Sequence, residues 1–165
     1  LLGEGAKLLT SSSKIVPFNK NSAEAINEQG VYNAPTKGFT EEVFKIYPKS
    51  DEMGKTTALM INPKGDRGVS ISWPVQQLPY LTQWKNTAAE TTGYVTGIEP
   101  GTGFPHNRNY ERKYGRVPKL APGESRSFEL DFKIHPSLKD VENATKKVNA
   151  LQGAEPPKVH KNPEE

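Results

Sequence analysis

Apolar residues fall along this chain in short alternating runs separated by clusters of turn formers. The runs are AKLLTSSSKIVPF, EEVFKIYP, TTALMINP, GVSISWPV, YLTQWKN, GYVTGIE and RSFELDFKIH. Each is rich in β-branched and aromatic residues and shorter than an ordinary helix, so each predicts a strand. Such a series of short strands predicts an all-β chain folded as an antiparallel β-sandwich or barrel. The link NPKGDRG supplies residues that accept positive φ or bond their own backbone, and it predicts a hairpin from Thr56 to Val75. In the run from Arg126 to His135, Phe128, Leu130, Phe132 and Ile134 alternate with charged or polar residues. That alternation predicts one buried and one wet face.

Two segments break the strand pattern. Asn19 to Thr36 has low hydrophobicity and no sustained period, which predicts a long loop with one helical turn, either functional or loosely ordered. After Pro136 the period lengthens. Ser137 is placed to cap a helix from Leu138 to about Gln152, with Asp140 in its first turn and Gly153 as its stop. Leu138, Val141, Thr145, Val148 and Leu151 share one narrow face, as in a strut packed on a sheet. The polar, proline-rich AEPPKVHKNPEE predicts a flexible tail. The expected organisation is therefore a sandwich domain over residues 1–135, a C-terminal helix over 136–153 and a tail over 154–165.

Composition narrows the function classes. The 165 residues suffice for one domain with a real core, and the absence of cysteine excludes disulfides, thiol catalysis and cysteine-ligated zinc. The net charge of +3 is spread along the chain, and even the basic stretch Arg108 to Lys119 contains Glu111. A nucleic-acid partner is therefore not expected. No apolar run is long enough to span a membrane. LLGEGAKLL lacks the parts of a signal peptide and an initial methionine, and it reads as the interior of a longer chain or a processed product.

Candidate chemistry centres on GYVTGIEPGTGFPHNR. Glu99 ends an apolar strand-like run and is followed by Pro100 and Gly101, so it is either a working acid or base at the mouth of a sheet or a solvated strand-end residue. Glu41 and Glu42 are adjacent on a strand, so at most one of them looks into the site that Glu99 faces. Gln83, Trp84 and Lys85 offer an aromatic ring beside hydrogen-bonding groups, which suits a pyranose with its apolar face and its hydroxyls. Trp84 is equally compatible with a core position, whereas Trp73 is expected in the core. His106 lies in the loop after Glu99 and could reach the same mouth or lie on the surface. The histidine spacing offers no metal site, and there is no phosphate-cradling glycine loop or nucleophile elbow. No metal or cofactor is expected.

The order of the motifs FTEEVFKIYP, TTALMINPKGDRGVSISW, QLPYLTQWKNT, GYVTGIEPGTGFPHNR and LAPGESRSFELDFKI resembles the C-terminal half of an aldose 1-epimerase-like protein. More narrowly, the chain is similar to the bacterial DUF4432 group of the galactose mutarotase-like superfamily, over roughly Leu1 to Ile134. YVTGIEPGT and LAPGES are the most specific parts. The resemblance implies part of a large antiparallel supersandwich, with Glu99 as the catalytic general base and Glu41 as a sugar ligand in place of the family's aspartate. With Trp84, Lys85 and Asn107 matched to the family's sugar-side motifs, the candidate substrate-binding residues are Gln83, Trp84, Lys85, His106, Asn107 and Arg108. The implied activity is anomer interconversion by acid/base ring opening. The alternatives are a non-catalytic carbohydrate-binding module and a half-sandwich assembly subunit. The family's general acid belongs upstream of Leu1, so the implied partners are a sugar or sugar derivative and an N-terminal half of the same protein.

Overall fold

The computed structural model describes residues 1–164. Among these residues nine strands and three α-helices form. The strands are β1 (Lys7–Thr10), β2 (Ser12–Pro17), β3 (Glu42–Pro48), β4 (Lys55–Ile61), β5 (Gly68–Pro74), β6 (Tyr80–Thr87), β7 (Tyr94–Gly101), β8 (Asp131–His135) and β9 (Lys158–Val159). The helices are α1 (Lys20–Glu24), α2 (Arg108–Lys113) and α3 (Leu138–Gln152). Two sheets result, ordered β1-β4-β5-β8 and β7-β6-β3-β2-β9.

The all-β sandwich expected from the pattern is thus formed, and β4 and β5 make the expected hairpin, with Asn62 bonding Asp66 and Arg67 across its turn. The first apolar run is two strands rather than one. At Ser11 the chain leaves the four-stranded sheet and enters the five-stranded one, held by the Lys49 N–H donating to the Ser11 carbonyl at 3.0 Å.

Strand alternation divides the apolar side chains between two cores. Leu8, Ile15, Phe44, Ile46, Ala58, Met60, Ile71, Trp73 and Leu81 fill the space between the sheets. Trp73 is 1% exposed and donates its indole N–H to the Leu78 carbonyl at 2.9 Å, as a buried indole must find an acceptor. Leu59 and Ile61, on the opposite side of β4, pack against Val141, Ala144 and Val148 of α3. Ser137 caps α3 as expected, and the helix covers the outer side of the four-stranded sheet.

Two expectations need correction. The tail is not wholly free: Lys158 and Val159 pair in parallel with Lys14 and Ile15, and Glu164 reaches Lys14 at 2.9 Å. Residue 165, the last of the expected tail, lies outside the described residues. The strand from Arg126 is also shorter, starting at Asp131, and its alternating face is not buried. Phe132 pairs with Ile71 yet is 72% exposed, and Ile134 is 76% exposed. β8 is the outermost strand of its sheet, and the exposure of Phe132 and Ile134 shows that nothing among the described residues covers this face of it.

Candidate functional site on the outer face of the five-stranded sheet

Register places Val16, Lys45, Thr82 and Glu99 side by side on β2, β3, β6 and β7. Their neighbours Phe44, Leu81 and Ile98 belong to the core between the sheets, so this row faces outward. One step along, Val43, Trp84 and Gly97 form the next outward row. Glu99 lies inside β7 rather than at its end, and its side chain is exposed. It folds back along the strand: a methyl group added at Gly97 would fall 2.3 Å from Glu99 Oε1. Gly97 therefore leaves the space that this carboxylate occupies, next to Trp84.

Trp84 donates its indole N–H to Glu41 Oε2 at 2.7 Å. Glu41 is held in turn by α1, where Asn21 Nδ2 donates to the Thr40 and Glu41 carbonyls at 3.2 and 3.0 Å. The Val43 N–H donates to Ser22 Oγ at 2.8 Å. The segment expected as a long loop thus has a definite task, fixing the backbone that carries Glu41. The result is an outward face on which a half-buried indole is flanked by two exposed carboxylates. It offers a flat apolar surface and hydrogen-bond acceptors, which is the chemistry a pyranose requires.

The loop after β7 covers the other end of the same face. Phe104 packs on Tyr47 and Tyr80 with ring centroids 5.2 and 4.7 Å away, and His106 stacks between Phe18 and Tyr110 at 4.5 and 4.2 Å. Glu111 clamps this cap. It accepts two hydrogen bonds from Arg116 at 2.7 and 2.8 Å and one from the Phe104 N–H at 3.0 Å. Burial opposes its charge, but these donors outweigh burial and hold its carboxyl below the usual range. Gly103 is needed for the approach, because a Cβ there would lie 2.6 Å from Glu111 Oε2.

Beneath the cap lies Lys45, 2% exposed, with its Nζ 3.5 Å from His106 Nε2. Burial lowers the Lys45 pKa, and burial followed by the charge of Lys45 lowers that of His106. Burial and then the nearby Glu164 push the Tyr47 phenol up to about 12.

The structure separates the residues singled out in the sequence. Glu99, Trp84 and Glu41 share one face, and His106 lies on that face farther along. Gln83 and Lys85 do not join them, because β6 alternation turns both into the space between the sheets. There Gln83 donates to the Gln29 carbonyl at 2.8 Å and to Tyr32 Oη at 3.2 Å. Lys85 pairs with Glu42 at 3.1 Å and donates to the Glu28 carbonyl at 3.3 Å. Asn107 caps α2, accepting from the Tyr110 N–H at 2.9 Å, and Arg108 is exposed at the helix start. Sequence reasoning passed over Lys45, Glu111 and Arg116. The available signal was a lysine inside the otherwise apolar VFKIY, and alternation alone would have put it on Glu99's face.

A groove of about 1090 Å³ lies away from this face, between α3 and the four-stranded sheet. It contains Ser70 and His135, hydrogen-bonded at 2.9 Å, but the nearby Asp140 is engaged by Ser137 at the helix cap. These groups therefore do not assemble a relay of nucleophile, base and acid. Among the described residues no cluster of histidines and acids is arranged to hold a metal ion, and no helix is long and apolar enough to cross a membrane.

The fold matches the crystal structure of a "putative aldose 1-epimerase" from Klebsiella pneumoniae subsp. pneumoniae with a TM-score of 0.95 and 40% sequence identity. The match covers 99% of this chain, so it extends through α3, beyond the span over which the motifs suggested a resemblance. The chain spans 42% of that protein's length. Residues 1–134 match DUF4432, a domain of unknown function, and the chain belongs to that family. No functionally curated protein matches it.

Proposed function

We propose that the outward groove binds an aldose and that Glu99 is the general base of an anomer-interconverting site. The observation that carries this reading is the placement of the Glu99 carboxylate over Gly97, beside an indole fixed by Glu41. A pyranose stacked on Trp84 would present its hydroxyls to both carboxylates. Glu99 would take the proton of the anomeric hydroxyl, and an acid would protonate the ring oxygen as the ring C–O bond breaks. Rotation about the C1–C2 bond and reclosure would give the other anomer. The name of the Klebsiella protein supports this chemistry, and the acid is assigned to the remainder of a longer protein.

The test is anomer exchange followed by NMR in the full-length protein. Glu99→Gln should slow exchange by about 10²-fold or more, the range of a lost general base, with unchanged melting temperature. Unchanged turnover in a folded variant would sink the assignment.

A second observation bears on the partner. Phe128, Leu130, Phe132 and Ile134 form an exposed apolar stripe continuing onto an open sheet edge. We propose that the remainder of a longer protein, like that of the relative of which this chain spans 42%, covers the stripe. Phe132→Asp with Ile134→Asp should leave the isolated 165-residue chain as stable as before but abolish its association with a co-expressed remainder. Retained association would reject the interface.

A further inference from the structure

The outward face contains one buried cation that the sugar reading does not use. Lys45 is 2% exposed, and among the described residues no carboxylate lies within ion-pair distance of it. The acids whose charges act on it, Glu164 and Glu111, are ion-paired elsewhere: Glu111 to Arg116 at 2.7 Å, and Glu164 to Lys14 at 2.9 Å. The polar atom recorded within hydrogen-bond reach of Lys45 is His106 Nε2 at 3.5 Å, a long contact that satisfies little of a three-proton donor. Buried lysines are nearly always paired, because desolvation of an unpaired charge is costly.

Position links this cation to the proposed groove. Lys45 and Glu99 stand in the same outward row, separated by Thr82, so their Cα atoms are two strand spacings or about 10 Å apart. Glu99 leans away along its strand, towards Gly97 and Trp84. The face thus holds a carboxylate pair at one end and an unmatched cation at the other. An aldose whose anomeric carbon meets Glu99 extends its far substituent along this face towards Lys45 and His106. Neutral hydroxyls would leave the lysine uncompensated. A carboxylate or phosphate would form a charge-assisted hydrogen bond with it in a water-poor setting.

We propose that the groove is built for an aldose bearing an anionic group, a uronate or a sugar phosphate, whose anion is bound by Lys45 with His106 beside it. This rests on the sugar reading of the Glu99 face and adds the class of sugar. The far end of the groove is gated by the aromatic cap, so an entering anion displaces the ring of His106 from its contact with Lys45.

Two probes in the intact protein separate this proposal from the reading beneath it. The first is inorganic phosphate, titrated while the His106 ring signals are followed by NMR in wild type, Lys45→Met and Lys45→Gln. Saturable movement in wild type that both variants lose is expected; absent or equal movement in all three overturns the anion site. The second compares glucuronate and galacturonate with glucose and galactose by calorimetry. The uronates should bind at least about tenfold more tightly than the matched neutral sugars, and Lys45→Gln should erase that difference while neutral-sugar affinity stays within about twofold. Neutral sugars binding as well as uronates would reject the anionic class and leave the sugar groove intact. A Lys45-dependent phosphate response with no sugar binding would reject the groove and leave the anion site.

Discussion

Two buried lysines stand on opposite faces of the same sheet, and they differ in one respect. Lys85, wholly buried between the sheets, has Glu42 as its cross-strand neighbour and pairs with it at 3.1 Å. Lys45, equally shielded on the outward face, meets a histidine and, among the described residues, has no carboxylate within ion-pair distance. The first arrangement pairs charge with counter-charge and adds the Glu28 carbonyl as an acceptor. The second is open, and it shares its face with Glu99, Trp84 and Glu41. Burial alone therefore does not set the two charges apart. The presence of an ion-pair partner does.

The largest effect is expected in stability. Lys85→Met strands the Glu42 carboxylate in the interior and should cost about 3–5 kcal/mol in urea unfolding, whereas Lys45→Met removes an unmatched charge and should cost nothing or gain of order 1 kcal/mol. Equal losses from both would erase the distinction.

Next in size is an effect on the site with little effect on the fold. In Gly97→Ala the new methyl meets Glu99 Oε1, and that flexible carboxylate must leave its place beside Trp84. Anomer exchange should fall by about 10²-fold, as when the base is lost, while stability stays within about 1 kcal/mol of wild type. Wild-type exchange in this variant would show that the position of Glu99 over Gly97 is immaterial.

The smallest effect concerns protons. His106 titrates below its ordinary value of 6.5, first through burial and then through Lys45. Between the folded pKa and 6.5 the unfolded chain binds more protons, so stability rises with pH through that window and is lost as pH falls below 6.5. Removing the lysine charge in Lys45→Met should move the His106 pKa upward and flatten this slope, measured by NMR titration and by thermal melts from pH 5 to 7. An unmoved pKa would mean that Lys45 does not act on His106.

The sandwich, its hairpin and its terminal helix were legible because period-2 alternation and capping residues are local signals. Ser137 and Gly153 bound the helix in sequence as they do in space. The position of Glu99 on the outward face was only half legible. The turn formers after it single out the residue and the resemblance adds a role, but its alternation with Ile98 shows which side of the sheet it faces. Gln83 and Lys85 are not on the face expected for them, because adjacent strand residues point to opposite sides and only Trp84 of the run QWK turns outward. The exposure of Phe132 and Ile134 was not legible at all: alternation predicts which face is apolar, but whether another layer covers it depends on the extent of the facing sheet. Lys45 is the instructive omission. A lysine in an apolar strand reads as a side chain snorkelling to water, and only the packing of Phe104, His106 and Tyr47 above it reveals the burial.

The two tryptophans report separately on the two places where a sugar could bind. Trp73 lies between the sheets and Trp84 in the groove, so their two indole N–H signals report on the two locations separately. In a titration with aldoses and uronates, the Trp84 signal should shift saturably while the Trp73 signal stays fixed. Movement of Trp73 alone, or a fixed Trp84 signal while calorimetry records binding, would place the sugar elsewhere and contradict the account.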